Sequence, residues 1–512
     1  MNISRFNFLG IAILVCFAVA CQTDNVSNAE VREPVVAGKF YPESAPRLKL
    51  AVEKFLEDAV PAKVKKPVAI IVPHAGYIYS GQICADGFKQ VSHQSYDVVV
   101  VLGTNHTSPD LNGAAVYPGD GFRTPLGTVS VDKGIISLLV KEAPTDCTLD
   151  KATHASEHSI EVVLPFIQVA FPKAKTVPII VGSHDISILT RFGQALARVL
   201  KNKKALIVVS TDLSHYPPQE DARIVDREIL TAITTLDPAE LSKAIRKNMN
   251  KNISNLATCA CGEAPVIAAM IAAKSLGAVR GEIVSYANSG DVSIGERSRV
   301  VGYGAVVLTA DDKGKEIIRP SKPALPADSS ILSLNDKKNL LRFARKTIAR
   351  VFATDTTPLA RDFSPNLQQP RGVFVTLKKK GELRGCIGHM FADEPLGKLV
   401  GTMALQAAFH DRRFPPLTAE ELQDIEIEIS VLTPMKRVTG TSDILVGRDG
   451  VLLSKDGQSA VFLPQVATEQ GWSREEMLNH LCQKAGLNAN CWRQNAQFST
   501  FQALVFSESE FK

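Results

Sequence analysis

Val68-Ala69-Ile70-Ile71-Val72-Pro73-His74-Ala75-Gly76-Tyr77 runs from five apolar residues straight into a loop that carries a histidine. The same arrangement returns three times. Val98 to Leu102 leads to Gly103-Thr104-Asn105-His106, and Val177 to Val181 leads to Gly182-Ser183-His184-Asp185. Ala205 to Val209 leads to Ser210-Thr211-Asp212-Leu213-Ser214-His215-Tyr216. Short runs rich in β-branched residues are the pattern of strands buried on both faces. Pro178, with no N–H to donate, limits the third run to a sheet edge or a late start. Between the runs, Ser159 to Ala170 and Ile186 to Leu200 carry apolar residues at helical spacing. Strand and helix in alternation predict an α/β domain with helices on both sides of a mostly parallel sheet. Ligands of such sheets gather beyond the carboxyl ends of the strands. Four of the ten histidines in the chain therefore fall where chemistry is expected.

Two more stretches belong with them. His154-Ala155-Ser156-Glu157-His158-Ser159-Ile160-Glu161 opens a predicted helix and adds imidazoles and carboxylates, Glu157 and His158 being candidate catalytic groups. Thr258-Cys259-Ala260-Cys261-Gly262-Glu263-Ala264-Pro265 places a thiol at a turn into an apolar helix. A free cysteine is often a buried small hydrophobe, but a helix N-terminus favours its thiolate. Both roles are open for Cys261.

The rest of the chain frames this domain. At about 150 residues per domain, 512 residues give two large domains or three smaller ones. A composition of 45% hydrophobic and 22% charged residues excludes a largely disordered, collagen-like or polytopic membrane protein. The net charge of +5 is scattered, with no clustered basic stripe for nucleic acid. Phe8 to Ala20 is an apolar run after Arg5, shorter than the roughly 20 residues of a membrane span and suited to a secretory signal. Of nine cysteines, Cys16 and Cys21 fall in this opening segment, leaving seven. The odd count and irregular spacing argue against a disulfide scaffold, although Cys482 and Cys491 could pair in an exported chain. No C-x-x-C zinc or redox motif, G-x-G-x-x-G loop or Walker lysine loop occurs.

Residues 310–332, polar and carrying Pro320, Pro323 and Pro326, read as a linker. The expected organisation is a signal segment at 1–21, the α/β domain at 22–309, the linker, and a smaller α+β domain at 333–512. In that second domain Gly372 to Leu377 and Glu382 to Gly388 flank a lysine-rich hairpin turn. Ile425 to Leu432 alternates as a half-buried strand, and Gly447 to Leu453 pairs with Ala460 to Leu463. Helical patterns cover Asp336 to Val351, Pro395 to Ala408 and Arg474 to Ala485. Arg384 and Cys386 stand two apart on a predicted strand, hence on one face, as a candidate anion or thiol site. The competing reading makes Gly385 and Gly388 packing positions and Cys386 core.

Several of these stretches resemble known families. Ala18-Val19-Ala20-Cys21 resembles the lipobox of bacterial lipoproteins, which implies acylation at Cys21 and a membrane-anchored protein facing the periplasm; the alternative is a soluble secreted chain cut at Ala20. Arg32-Glu33-Pro34-Val35-Val36-Ala37-Gly38-Lys39-Phe40-Tyr41-Pro42, His74-Ala75-Gly76-Tyr77, Glu157-His158-Ser159-Ile160-Glu161, Asp212-Leu213-Ser214-His215-Tyr216, Cys261-Gly262 and Val301-Gly302-Tyr303-Gly304 together resemble the Memo family. That family is similar in fold to the class III extradiol dioxygenases, which hold non-haem Fe(II) with two histidines and a glutamate. The resemblance implies metal ligation by His74, His106 and Cys261, with Asp212 and His215 nearby as catalytic groups. Two imidazoles and a thiolate are a softer set that suits copper at least as well as iron. Leu383-Arg384-Gly385-Cys386-Ile387-Gly388, with Asp411 to Leu417 and Phe462 to Ala467, resembles the AMMECR domain family. The two families occur together with a radical-SAM protein in the AmmeMemoRadiSam system, which implies such a partner.

Three functions follow as expectations. The first is a metal-binding, redox-active protein, an iron- or copper-dependent oxidoreductase of dioxygenase-like fold holding one ion. The second is a metal-free enzyme with Cys261 as nucleophile. The third is a non-catalytic peptide- or partner-binding module that keeps the pocket.

Overall fold

The computed structural model describes residues 29–311 and 332–511. The signal segment at 1–21 with Cys21, and nearly all of the 310–332 connector, lie outside the described residues.

Eight strands form one sheet in the order Arg280–Asn288, Gly302–Thr309, Pro67–Val72, Ala205–Ser210, Val98–Thr104, Lys175–Gly182, Gly113–Val116, Cys147–Leu149. The four apolar runs are the four central strands, and each is parallel to the next. Their carboxyl ends therefore share one rim, and the four histidine-bearing loops leave the sheet together. Every residue of Val98–Thr104 is buried, as a strand covered on both faces requires. Antiparallel pairs flank this parallel core on either side.

Lys175–Gly182 is an interior strand that starts before Pro178, neither the edge nor the late start that Pro178 suggested. The Pro178 carbonyl accepts the Tyr117 N–H at 3.1 Å, so its missing donor faces the Gly113–Val116 side. That ladder stops at the Val116–Ile179 pair, and no bond is lost. A second correction concerns 154–161, which does not open a helix directly. A short helix Ala152–Ala155 ends first, and a 3₁₀ turn at Glu161–Val163 then leads into Leu164–Ala170. Between them the Glu157 side chain accepts the N–H groups of His158 and Ser159, holding the loop open toward the rim.

Ile186–Leu200 forms the expected helix, capped by Asp185, which accepts the Ser187 N–H. It packs on Glu263–Ser275, a helix apolar nearly all round because it lies between that neighbour and the sheet. Tyr77–Lys89 follows His74 directly and packs on the antiparallel side of the sheet.

The second half opens with the helix Leu334–Thr354, started by a capping box between Ser333 and Asp336. This helix and Leu396–Phe409 cover a four-stranded antiparallel sheet ordered Glu382–His389, Val373–Lys379, Ile425–Leu432, Ala503–Ser507. Lys380 and Gly381, both at positive φ, make the hairpin turn. A second antiparallel sheet is ordered Lys436–Val438, Gln497–Phe501, Gly450–Lys455, Gln458–Phe462, with the helix Arg474–Lys484 against it. Cys482 and Cys491 are disulfide-bonded there. No helix among the described residues is long and apolar enough to cross a membrane.

Candidate metal centre

His74 sits just past Pro67–Val72 and is 2% exposed. Its ring is held by a chain of hydrogen bonds that fixes the tautomer. The Ser210 hydroxyl donates to the Ser159 carbonyl at 2.6 Å, so Ser210 Oγ must accept from His74 Nδ1 at 2.8 Å. Nδ1 therefore carries a proton whatever the charge of the ring, and Nε2 faces the rim; burial works to lower the pKa of His74, but Asp212 and Cys261 raise it above the ordinary value.

His106 reaches the same point from the end of Val98–Thr104. Its Nδ1 donates to Glu157 Oε1 at 2.9 Å, and its backbone N–H donates to Glu157 Oε2 at 2.7 Å. Its Nε2 is thus left for the rim, where the ring hydrogen-bonds the Cys261 sulfur. Burial works to raise the Glu157 carboxyl, but the hydrogen bonds from His106 and from the Ser159 N–H pull it down to about 2. It is a fixed carboxylate that orients a ring, the arrangement found behind metal-bound imidazoles. Glu157→Gln is expected to weaken metal retention roughly 10–100-fold with little loss of fold, checked by titrating the protein with a chelator.

His158 stacks on His106 with ring centres 4.7 Å apart. Burial and the neighbouring His74 cation push its pKa down to about 4, so it is a neutral ring near pH 7. His74, His106 and His158 each offer a nitrogen within 4.8 Å of the others, a group that could hold a metal ion. His74 is buried, His158 half-buried and His106 exposed. From its sequence His158 is a candidate catalytic group and not a ligand; the structure adds it to the cluster.

Cys261 stands immediately before the helix Glu263–Ser275, with Sγ 3.5 Å from His74 Nε2. The Asp212 N–H donates to that sulfur at 3.2 Å. Burial opposes ionisation, but the His74 imidazole, then His106 and His215, hold the thiol well below its ordinary range. Gly262 lets the chain pass so close, since a Cβ there would meet Thr104 Oγ1 and the Thr211 side chain at 2.6 Å. Asp212 accepts the His74 N–H at 2.9 Å through Oδ1, and its Oδ2 lies 3.9 Å from His74 Nε2. His215 pins the rim through backbone bonds to Thr258 and Ala257, and its Nε2 is buried without a hydrogen-bond partner among the described residues.

The donor chemistry fits a transition metal. Two imidazoles have their Nδ1 atoms committed and their Nε2 atoms converging, a third imidazole is neutral, and a thiolate lies in contact. His184 does not join this group. With Asn105, Ser183, Thr258 and Glu263 it lines a cavity of about 460 Å³ that has Cys261 in its wall.

In the second half Arg384 and Cys386 do not form a shared anion site. The strand ladder passes from Leu383 to Gly385 and leaves Arg384 unpaired in a bulge, which breaks the two-residue alternation. The Arg384 guanidinium is spent on Glu421 and on the carbonyls of Pro415 and Pro416. Cys386 accepts from the Thr376 hydroxyl at 3.2 Å, and Asp411 takes its N–H. A Cβ at Gly385 would meet the Ala407 carbonyl oxygen at 2.3 Å, so that position packs helix against strand.

The family described as Memo-like protein matches residues 32–307, and that described as AMMECR1 matches residues 341–506. A MEMO1 family protein of Aquifex aeolicus is 39% identical over 275 residues, covering 53% of this chain and 97% of that protein. A MEMO1 family protein of Methanopyrus kandleri is 35% identical over 290 residues, covering 54% of this chain and 98% of that one. The crystal structure of an uncharacterized protein from Pyrococcus horikoshii aligns at 36% identity with a TM-score of 0.33, covering 34% of this chain and 92% of its own.

Proposed function

The chain belongs to the Memo-like protein family, and on that premise we propose that its α/β half holds one redox-active iron or copper ion through His74, His106 and Cys261, with His158 beside them. The observation that carries this reading is the pair of committed Nδ1 atoms. Ser210 and Glu157 leave both Nε2 atoms turned to one point, where each ring meets the Cys261 sulfur. A thiolate in place of the carboxylate of non-haem iron sites softens the set, which suits copper as well as iron. A bound ion would supply electron transfer or Lewis acidity. The protein itself orients the rings, keeps Cys261 ionised and places Asp212 and His215 to hold or move a proton. Protein purified without oxygen is expected to retain about one iron or copper per chain, measured by elemental analysis. Wild-type protein that binds neither metal when either is supplied overturns the reading.

A second reading rests on the 3.5 Å contact between Cys261 and His74. A thiolate beside an imidazole is the pairing of nucleophilic cysteine enzymes, with Asp212 as orienter. One-to-one alkylation of Cys261 below neutral pH, in protein that never takes up metal, would favour it.

We further propose that the protein is exported and anchored through a lipid on Cys21. The Cys482–Cys491 disulfide supports an oxidising compartment. Cys21→Ala is expected to move the protein from the membrane to the soluble fraction, scored by immunoblot; a wild-type chain already wholly soluble would refute the anchor. The radical-SAM partner stays a proposal from family association.

A further inference from the structure

Asp86 is fully buried, in the last turn of the helix that starts three residues after His74. Among the described residues of its own half its carboxylate receives the Val60 N–H at 3.0 Å and a long contact from Gln82. A buried carboxylate needs a cation or a full set of donors. The cation comes from the other half of the chain. Arg361 grips Asp86 with two nitrogens, at 2.6 and 3.2 Å, and also donates to the Asp58 carbonyl. The Asp58 carboxylate, at the C-terminal end of the helix Ala45–Glu57, is held by Arg350 and by Lys346 at 2.9 Å. The Arg350 guanidinium lies 5.5 Å above the Phe55 ring. Leu359 packs on the hydrophobic core of the α/β half. A separate patch joins Thr402 to the Ser293 carbonyl and Arg297 to the Asp393 carbonyl.

We propose that the α/β half carries a dedicated docking face, centred on Asp58 and Asp86, for an AMMECR-type domain that presents a Lys–Arg cluster. The two halves recognise each other without the connector and remain a 1:1 complex once the chain between them is cut. The charges are complementary, two carboxylates against three cations. Bidentate pairing of Arg361 adds geometric selection that a lysine would not supply. The inference is independent of any metal.

The test begins with the full chain, carrying a specific protease site inserted within residues 312–331. After cleavage, the wild-type fragments are expected to co-elute on size exclusion at low micromolar concentration and to give a 1:1 mass under native conditions. Arg361→Glu and Asp58→Lys are each expected to weaken association by about 100-fold or more, the scale for breaking a desolvated charge pair. Asp58→Lys combined with Arg350→Glu restores much of it. Arg47→Ala, which breaks the exposed pair with Asp355, leaves association unchanged. Circular dichroism of each separated fragment shows that loss of association is not loss of fold. Wild-type fragments that elute apart while both stay folded overturn the proposal, as does a charge swap that binds no better than Asp58→Lys alone.

Discussion

His74→Ala is expected to empty the centre of metal and, in metal-free protein, to raise the pKa of the Cys261 thiol. Two separate roles are lost with one ring. As a donor, His74 offers the Nε2 that the Ser210–Ser159 relay has turned toward the rim. Losing a ligand exceeds the roughly 10–100-fold loss of affinity seen when only a ligand's hydrogen-bonding partner is removed. As a cation, His74 is the largest influence favouring the thiolate against burial. Without it the thiol moves back toward the ordinary value of about 8.5. Elemental analysis reads the first effect, and the pH dependence of Cys261 alkylation reads the second. A variant with wild-type metal content would remove His74 from the ligand set. Comparing Cys261→Ser with His158→Gln then identifies the third donor. Retention of metal by the first and its loss by the second would select the three imidazoles that already cluster within 4.8 Å. The opposite result would select the thiolate set.

The rim was legible in the sequence because parallel strands put their loops on one side, and that rule needs only the order of apolar runs. It located His74, His106 and His215 without any knowledge of pairing, whereas the turn at Cys261 was legible only as a thiol entering an apolar helix. The rule could not separate His184, whose loop faces the cavity instead, because direction within a loop depends on packing partners. Nor could it place His158 against His106, since that stack depends on how a non-helical stretch of five residues is held by the Glu157 side chain. Ser210 and Ser159 had no signal at all. A hydroxyl matters here only through the two atoms it bridges, which lie on different strands and loops. Pro178 misled for a related reason: whether a missing N–H is harmful depends on which neighbour it would have faced and where that ladder ends. In the second half, spacing placed Arg384 and Cys386 on one face, and the bulge undid it.

Glu161→Ala is expected to lower the stability of the α/β half by about 3–5 kcal/mol, the range for breaking a buried ion pair by removing one partner. Two motifs 120 residues and more apart in sequence meet at this carboxylate. The side chain is fully buried and accepts from Arg32, from the Val35 and Val36 N–H groups at 2.9 and 3.0 Å, and from the Tyr41 hydroxyl at 2.6 Å. Truncation strands the 7%-exposed Arg32 and removes the acceptor that holds Val35, Val36 and Tyr41. Arg32 also donates to the carbonyls of His154 and Glu157, so the loop that carries His158 loses a brace with it. For a half of this size the melting temperature is expected to drop by on the order of 10 °C. The chain supplies its own control, because both tryptophans, Trp472 and Trp492, lie in the second half. Far-UV circular dichroism should show an early transition in the variant while tryptophan fluorescence keeps the wild-type midpoint. If both signals move together, the docked halves unfold as one unit, and the loss is transmitted through the Asp86–Arg361 contact. If neither moves, Glu161 is not what seats the N-terminal segment.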